Sequence, residues 1–247
     1  MRWRIADCGL RVRNGSVVVG AALALLLLPQ GAAAQVGHAP ESSPYRELRA
    51  KQAASVIVGQ VLGSRGVANV GPSDGQLVGI RYDRQVGTAV DILVGLSYGQ
   101  FQRFRVDPTL PLATRMSGPD PEGIAMMEAG LSLVLTGRKS WRGLVSYVGG
   151  GLGVAFDTQL DTDASGYTFG TKGLLAPHVG LKWYPVQAFS VKVEGRGTLW
   201  RLTYPTQFFQ APVGYTVPPI LRAATDPSAE WTVHPTLILS AGYTFTF

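Results

Sequence analysis

Trp231–Phe247 reads WTVHPTLILSAGYTFTF, and its two parities differ in kind. One carries Trp231, Val233, Pro235, Leu237, Leu239, Ala241, Tyr243, Phe245 and Phe247; the other is mostly small or polar, with Thr232, His234, Thr236, Ser240, Gly242, Thr244 and Thr246. An alternation of period two is the signature of a strand whose faces meet different surroundings. A soluble half-buried strand alternates too, but rarely over such a length or with three alternate aromatics at one end. A strand crossing a membrane needs about 9–11 tilted residues, one face in lipid, the other in a polar lumen, and aromatic residues where it meets the headgroups.

The same residues carry a family likeness. With Tyr243, Phe245 and Phe247 at alternate positions, the stretch resembles the last strand of the small bacterial outer-membrane β-barrels of the OmpA/OmpX type. The resemblance implies that these three aromatics are the signal read by the barrel-assembly machinery. It also implies lipid and lipopolysaccharide as surroundings.

Turn signals divide the rest of the chain into further strand-like segments. They fall near 54–62, 76–84, 88–104, 123–136, 141–156, 173–184 and 188–203, eight in all with 231–247. Gln85–Gly87, Gly137–Ser140 and Pro185–Gln187 are short connections; Gly63–Gly75, Arg105–Glu122, Asp157–Lys172 and Tyr204–Glu230 are long. Strict alternation of short and long is the asymmetry of an outer-membrane barrel with periplasmic turns and extracellular loops. The expected fold is therefore all-β, an eight-stranded antiparallel transmembrane β-barrel over residues 53–247. Parity assigns the inner face to Arg81, Asp83, Asp91, Glu128, Lys182, Lys192, Glu194 and Arg196, opposite Val, Ile, Leu and Met. Segment 54–62 is ambiguous in parity. Tyr82, Trp141, Trp183, Tyr184, Phe189, Tyr243, Phe245 and Phe247 are expected in an aromatic girdle at the turn end, and Tyr98, Phe101, Phe104, Phe156, Trp200, Tyr204 and Trp231 in one at the loop end.

Upstream, a basic region to Arg13, an apolar run Val17–Leu28 and the small residues Ala32–Ala34 form a secretory signal peptide, with cleavage expected after Ala34. The run is shorter than the ~20 residues of a spanning helix. Cys8 would leave with it, so the remaining chain has no cysteine for a disulfide. Residues 35–52 form a polar periplasmic leader in which Ser43-Pro44 and Glu47 suggest a short helix over 44–52. Half of the formal charge of +6 belongs to the signal: without its first 34 residues the chain has 18 basic against 15 acidic residues. No basic cluster remains to track a nucleic-acid backbone.

Chemistry is sparse. Gly149–Gly153 lacks the Gly-Lys-Ser/Thr ending and the following helix of a phosphate loop. His38, His178 and His234 have no metal-ligand spacing, so no metal or cofactor is expected. His234 and Ser240 share a face but lie about 20 Å apart along an extended strand, too far for a nucleophile and its base. No catalytic residue is assigned. Arg81, Asp91, Glu128, Lys182, Lys192, Glu194 and Arg196 read as a charged network closing the lumen, since an eight-stranded barrel has little more interior than its own side chains fill. Arg103, Arg105, Arg201 and Arg222 are candidates for pairing with lipopolysaccharide phosphates at the outer rim.

The function that follows is a non-enzymatic structural or surface-interaction role through the extracellular loops, whose ligand the sequence does not name. A small outer-membrane pore, an outer-membrane lipid-modifying enzyme and a secreted soluble lipocalin-like barrel are the alternatives.

Overall fold

Alternating side chains make strands, and strands buried on one face only must close or be covered. The computed structural model describes residues 43–158 and 163–245. The segment expected to be a signal peptide, most of the expected leader and Phe247 lie outside the described residues. Ten strands follow in order: β1 Tyr45–Glu47, β2 Gln52–Val61, β3 Gly75–Gln85, β4 Val90–Val106, β5 Met116–Val134, β6 Lys139–Trp141, β7 Leu144–Asp157, β8 Thr171–Val186, β9 Phe189–Thr203 and β10 Ala229–Phe245. Eight of them form a ring of antiparallel neighbours, β7-β5-β4-β3-β2-β10-β9-β8, closed by pairing of β8 with β7. The seam between the first and last long strands runs from Thr236↔Val61 to Phe245↔Gln52. Closure leaves the ring no unpaired edge, which a bilayer requires because its core offers backbone groups no water.

The ring is turned inside out relative to a soluble barrel. Val56, Val58, Val78, Ile80, Leu131, Leu152, Val179, Leu237 and Leu239 point outward and are 48–66% exposed. An apolar belt this extensive on every strand marks a lipid-facing surface. At the loop end Tyr98, Phe156 and Trp231 face out, and Tyr82, Trp141, Trp183, Phe189 and Tyr243 do so at the turn end. The ambiguous parity of β2 resolves with Ala53, Ser55 and Ile57 inside. Glycine lets β5 and β7 lie close: a Cβ on Gly149 would sit 2.2 Å from the Leu131 carbonyl oxygen, and one on Gly153 2.1 Å from that of Met127. The Gly149–Gly153 run is therefore barrel wall.

Three expectations change. Residues 44–52 are not a helix: Tyr45, Arg46 and Glu47 pair with Trp141, Ser140 and Lys139. Hydrogen bonds offered by a neighbouring strand outweigh a local capping pattern too short to nucleate a helix. That pairing also extends the connection taken as Gly137–Ser140, so that β5 and β7 are separated by residues 135–143 with β6 between them. Conversely, the connection taken as Arg105–Glu122 shrinks to residues 107–115, because β4 and β5 go on pairing past a register shift between Arg103 and Arg105. The hairpin thus projects beyond the belt, where Gln100 and Gln102 replace apolar residues on its outer face.

Candidate functional site: the filled lumen

Even-numbered residues of β5, β8, β9 and β10 and odd-numbered residues of β2, β3, β4 and β7 face the axis. In the half nearer the turns they bring charges together. Nearest the turn end, Lys182 Nζ donates to Asp91 Oδ2 at 3.0 Å and Lys192 Nζ donates to Asp83. One layer deeper, Glu194 accepts from Arg81 at 2.7 and 3.1 Å, from Arg196 at 2.8 and 3.1 Å, and from the Tyr147 hydroxyl at 2.9 Å. Glu128 completes the quartet, 2.6 Å from Arg196 and 3.5 Å from Arg81. Beside it Ser132 Oγ and His178 Nε2 lie 2.9 Å apart, with His178 Nδ1 3.1 Å from the Ala176 carbonyl oxygen. Among the described residues, four cations and four carboxylates share this half of the lumen, and all eight side chains are at most 10% exposed. Removing such charges from water is costly, and the paired, hydrogen-bonded geometry offsets the cost.

The seven residues assigned to a lumen network thus lie together. Asp83 belongs to it as fully as they do; its inward parity was legible, its partner was not. Tyr147, Ser132 and His178 also belong and were missed, since nothing in the sequence reveals which inward polar groups meet across a ring.

The loop half of the lumen is apolar, filled from two sources. Strands contribute Ile57, Val61, Leu77, Phe101, Ile124, Leu174, Trp200 and Ile238; loops contribute Val70, Tyr167, Phe169, Phe208 and Leu221. Trp200 is fully buried, with Phe101 and Phe169 edge-on at 5.9 and 5.3 Å. His234 lies 4.3 Å from the Trp200 ring and its Nε2 is 3.0 Å from Thr232 Oγ1; it makes no pair with Ser240. Phe101, Trp200 and Tyr204, expected in the outer girdle, instead point inward, and half-buried Tyr184 faces the mouth at the turn end. The reason is parity: Trp200 follows Lys192, Glu194 and Arg196 on the even face of β9, and Phe101 follows Asp91 on the odd face of β4.

Arg103 is also corrected. It is buried above the apolar layer rather than displayed at the rim, with Nη1 3.3 Å from both Glu122 carboxylate oxygens and Nη2 2.9 Å from Asp163 Oδ2 and 3.4 Å from the Tyr167 carbonyl oxygen. Its guanidinium also lies 4.9 Å from the Tyr167 ring centroid, so one side chain ties β4, β5 and the β7–β8 loop together. Burial pushes the Glu122 carboxyl up to about 7, against the pull of Arg103 and with the help of nearby Asp157. The other rim arginines differ: Arg105 pairs with Asp120 at 3.0 Å, while Arg201 and Arg222 are exposed. Among the described residues no three His, Cys, Asp or Glu side chains converge to hold a metal ion.

Chemically, this interior holds itself together: paired charges fill one half of the lumen and packed apolar side chains the other. No protein-family model and no curated protein matches the chain. Among solved structures it is similar to the N-terminal β-barrel domain of OprF from Pseudomonas aeruginosa, with 14% identity and a TM-score of 0.41 over 81% of this chain and 100% of that one. It is also similar to the outer membrane protein OprG from Pseudomonas aeruginosa, with 10% identity and a TM-score of 0.44 over 81% and 99%. A third is the attachment invasion locus protein Ail of Yersinia pestis, crystallised with the heparin analogue sucrose octasulfate, with 14% identity and a TM-score of 0.39 over 80% and 100%. The geometry described above, a closed antiparallel ring with an apolar exterior and a filled, charged interior, is itself that of a small transmembrane β-barrel.

Proposed function

We propose that this chain is a non-enzymatic protein of the bacterial outer membrane, exported by cleavage after Ala34, whose long loops carry a structural or surface-interaction role. One observation carries the reading: the barrel is apolar outside and filled inside, by paired charges in one half and by apolar side chains and loops in the other. A pore needs a wetted lumen, and here its cross-section is occupied by Arg81, Glu194, Arg196, Glu128 and then by Trp200 and its neighbours. A soluble barrel of the lipocalin kind needs the reverse distribution of polarity. For a lipid-modifying enzyme the only serine–histidine hydrogen bond between side chains, among the described residues, is Ser132–His178, and it is buried on the lumen side. Partners follow from the surfaces that remain. Arg201 and Arg222, exposed near the loop end, and Arg105 beside Asp120 are the guanidinium groups assigned by this reading to lipopolysaccharide phosphates. Tyr243 and Phe245 face outward at the turn end, in the place the assembly machinery would read together with Phe247.

The test is fractionation of the expressing cell combined with gel mobility before and after boiling. A heat-modifiable band in the outer-membrane fraction is expected. Recovery as a soluble periplasmic protein whose mobility does not change on boiling would overturn the reading.

A further inference from the structure

The ring order places β7 four strands from β2 in either direction, so the two stand on opposite sides of the barrel. The segment Pro44–Lys51 joins those sides. At its start β1 is hydrogen-bonded to β6, the Arg142 amide donates to the Pro44 carbonyl at 2.9 Å, and the Leu48 amide donates to the Arg138 carbonyl at 2.9 Å. At its end the Lys51 amide donates to the Phe245 carbonyl at 3.4 Å, and the Lys51 carbonyl accepts from the Gln85 amide at 2.8 Å. Between these anchors Leu48 and Ala50 lie over a cavity of about 20 Å³ whose floor includes Asp83, Asp91, Lys182 and Tyr184. That is room for about one water molecule. The segment is therefore a strap drawn across the turn-side mouth, directly beneath the first layer of the lumen charges.

Its attachment is slight. All three β1 side chains are exposed, and their ladder is three residues long. The ion pair nearest to it, Arg138–Glu47, spans 3.9 Å between exposed side chains and adds little. Segments with few buried apolar contacts and short ladders open at far lower cost than the body of a fold.

We infer that Pro44–Lys51 is a detachable strap that closes the turn-side mouth of the barrel, and that its release uncovers the Asp83/Asp91/Lys182/Lys192 layer without unfolding the barrel. The inference rests on the barrel assignment and not on the role of the outer loops.

A thiol placed under the strap reads this directly. Val145 is buried and lines the cavity, so Val145→Cys in a Cys8→Ser background provides a single probe, labelled with a small water-soluble thiol reagent after folding into phosphatidylcholine vesicles. Deletion of Pro44–Glu47 should raise the labelling rate about ten-fold while the folded barrel keeps its heat-modifiable band. Arg46→Pro, which breaks the centre of the β1 ladder without removing chain, should raise it in the same direction. Equal rates in the intact and deleted proteins, both folded, would overturn the strap. If the deletion abolishes folding, Arg46→Pro decides: an unchanged rate in a folded barrel overturns it equally. A chain that never gives a heat-modifiable band with the strap intact would instead contradict the barrel reading.

Discussion

Glu194 is the side chain on which the charged half of the lumen turns, and replacing it with alanine tests the network most sharply. Its two oxygens accept five hydrogen bonds, from Arg81, Arg196 and Tyr147. Without them Arg81 keeps only a 3.5 Å contact with Glu128, which must also serve Arg196 at 2.6 Å. One carboxylate would face two guanidinium groups, leaving a buried, uncompensated positive charge. Breaking a buried pair in this way costs about 3–5 kcal/mol. Glu128→Ala should cost less, about 1.5–3 kcal/mol, because Glu194 still pairs with both arginines. The assay is urea unfolding of the barrel in lipid vesicles, followed by tryptophan emission and by gel mobility without boiling. A double replacement, Arg81→Met with Glu194→Met, should recover much of the loss, since it removes charge on both sides. A loss below about 1 kcal/mol for Glu194→Ala would mean that water reaches the quartet, and the reasoning from burial would fail.

The wild-type protein in a planar bilayer should pass little or no steady current, and large, stable, ion-selective currents would refute the filled lumen. The latch around Arg103 should depend on pH: a carboxyl held above its ordinary value favours the folded arrangement fully below that value and stops doing so as pH rises through about 7. The β7–β8 loop should accordingly resist protease better at about pH 5 than at about pH 8, and Glu122→Gln should flatten that difference. If the Glu122→Gln protein keeps the full dependence, another group is responsible. Tags inserted at Leu112 or Asp226 should be reached by antibody on intact cells, and one at Gln187 only after permeabilisation; the reverse would invert the topology. Deleting Phe247 should leave exported chain unassembled and open to proteolysis, and normal levels of folded protein would dismiss the terminal aromatics as a signal.

Parity made the ring legible because lipid and lumen impose opposite demands on alternate residues. Every long strand appears within a few residues of where turn signals place it, except at the β4–β5 hairpin. There pairing continues through Arg103–Val106 and Met116–Asp120, although that stretch of β5 holds Gly118 and Pro119 and reads as a loop. The charged members of the lumen were legible for the same reason as the ring. Their pairing was not: Arg81 meets Glu194 across 113 positions of sequence, and only closure brings them together. Arg103 shows the limit most clearly. Its inward parity follows from Asp91 on the same strand, but its burial depends on Asp163 and Tyr167, which belong to a loop with no period to read.

Residues of the long loops have divided loyalties, and this bears on how the protein can be remodelled as a display scaffold. Tyr167, Phe169, Phe208 and Leu221 are locked into the barrel mouth, so altering them would disturb the body of the fold. A few residues away, Val213 is 98% exposed, and Gly214 has nothing within 4 Å of where a Cβ would stand. A foreign peptide grafted between those two positions would ride on an anchored base. The same peptide placed beside Phe208 would unseat that base.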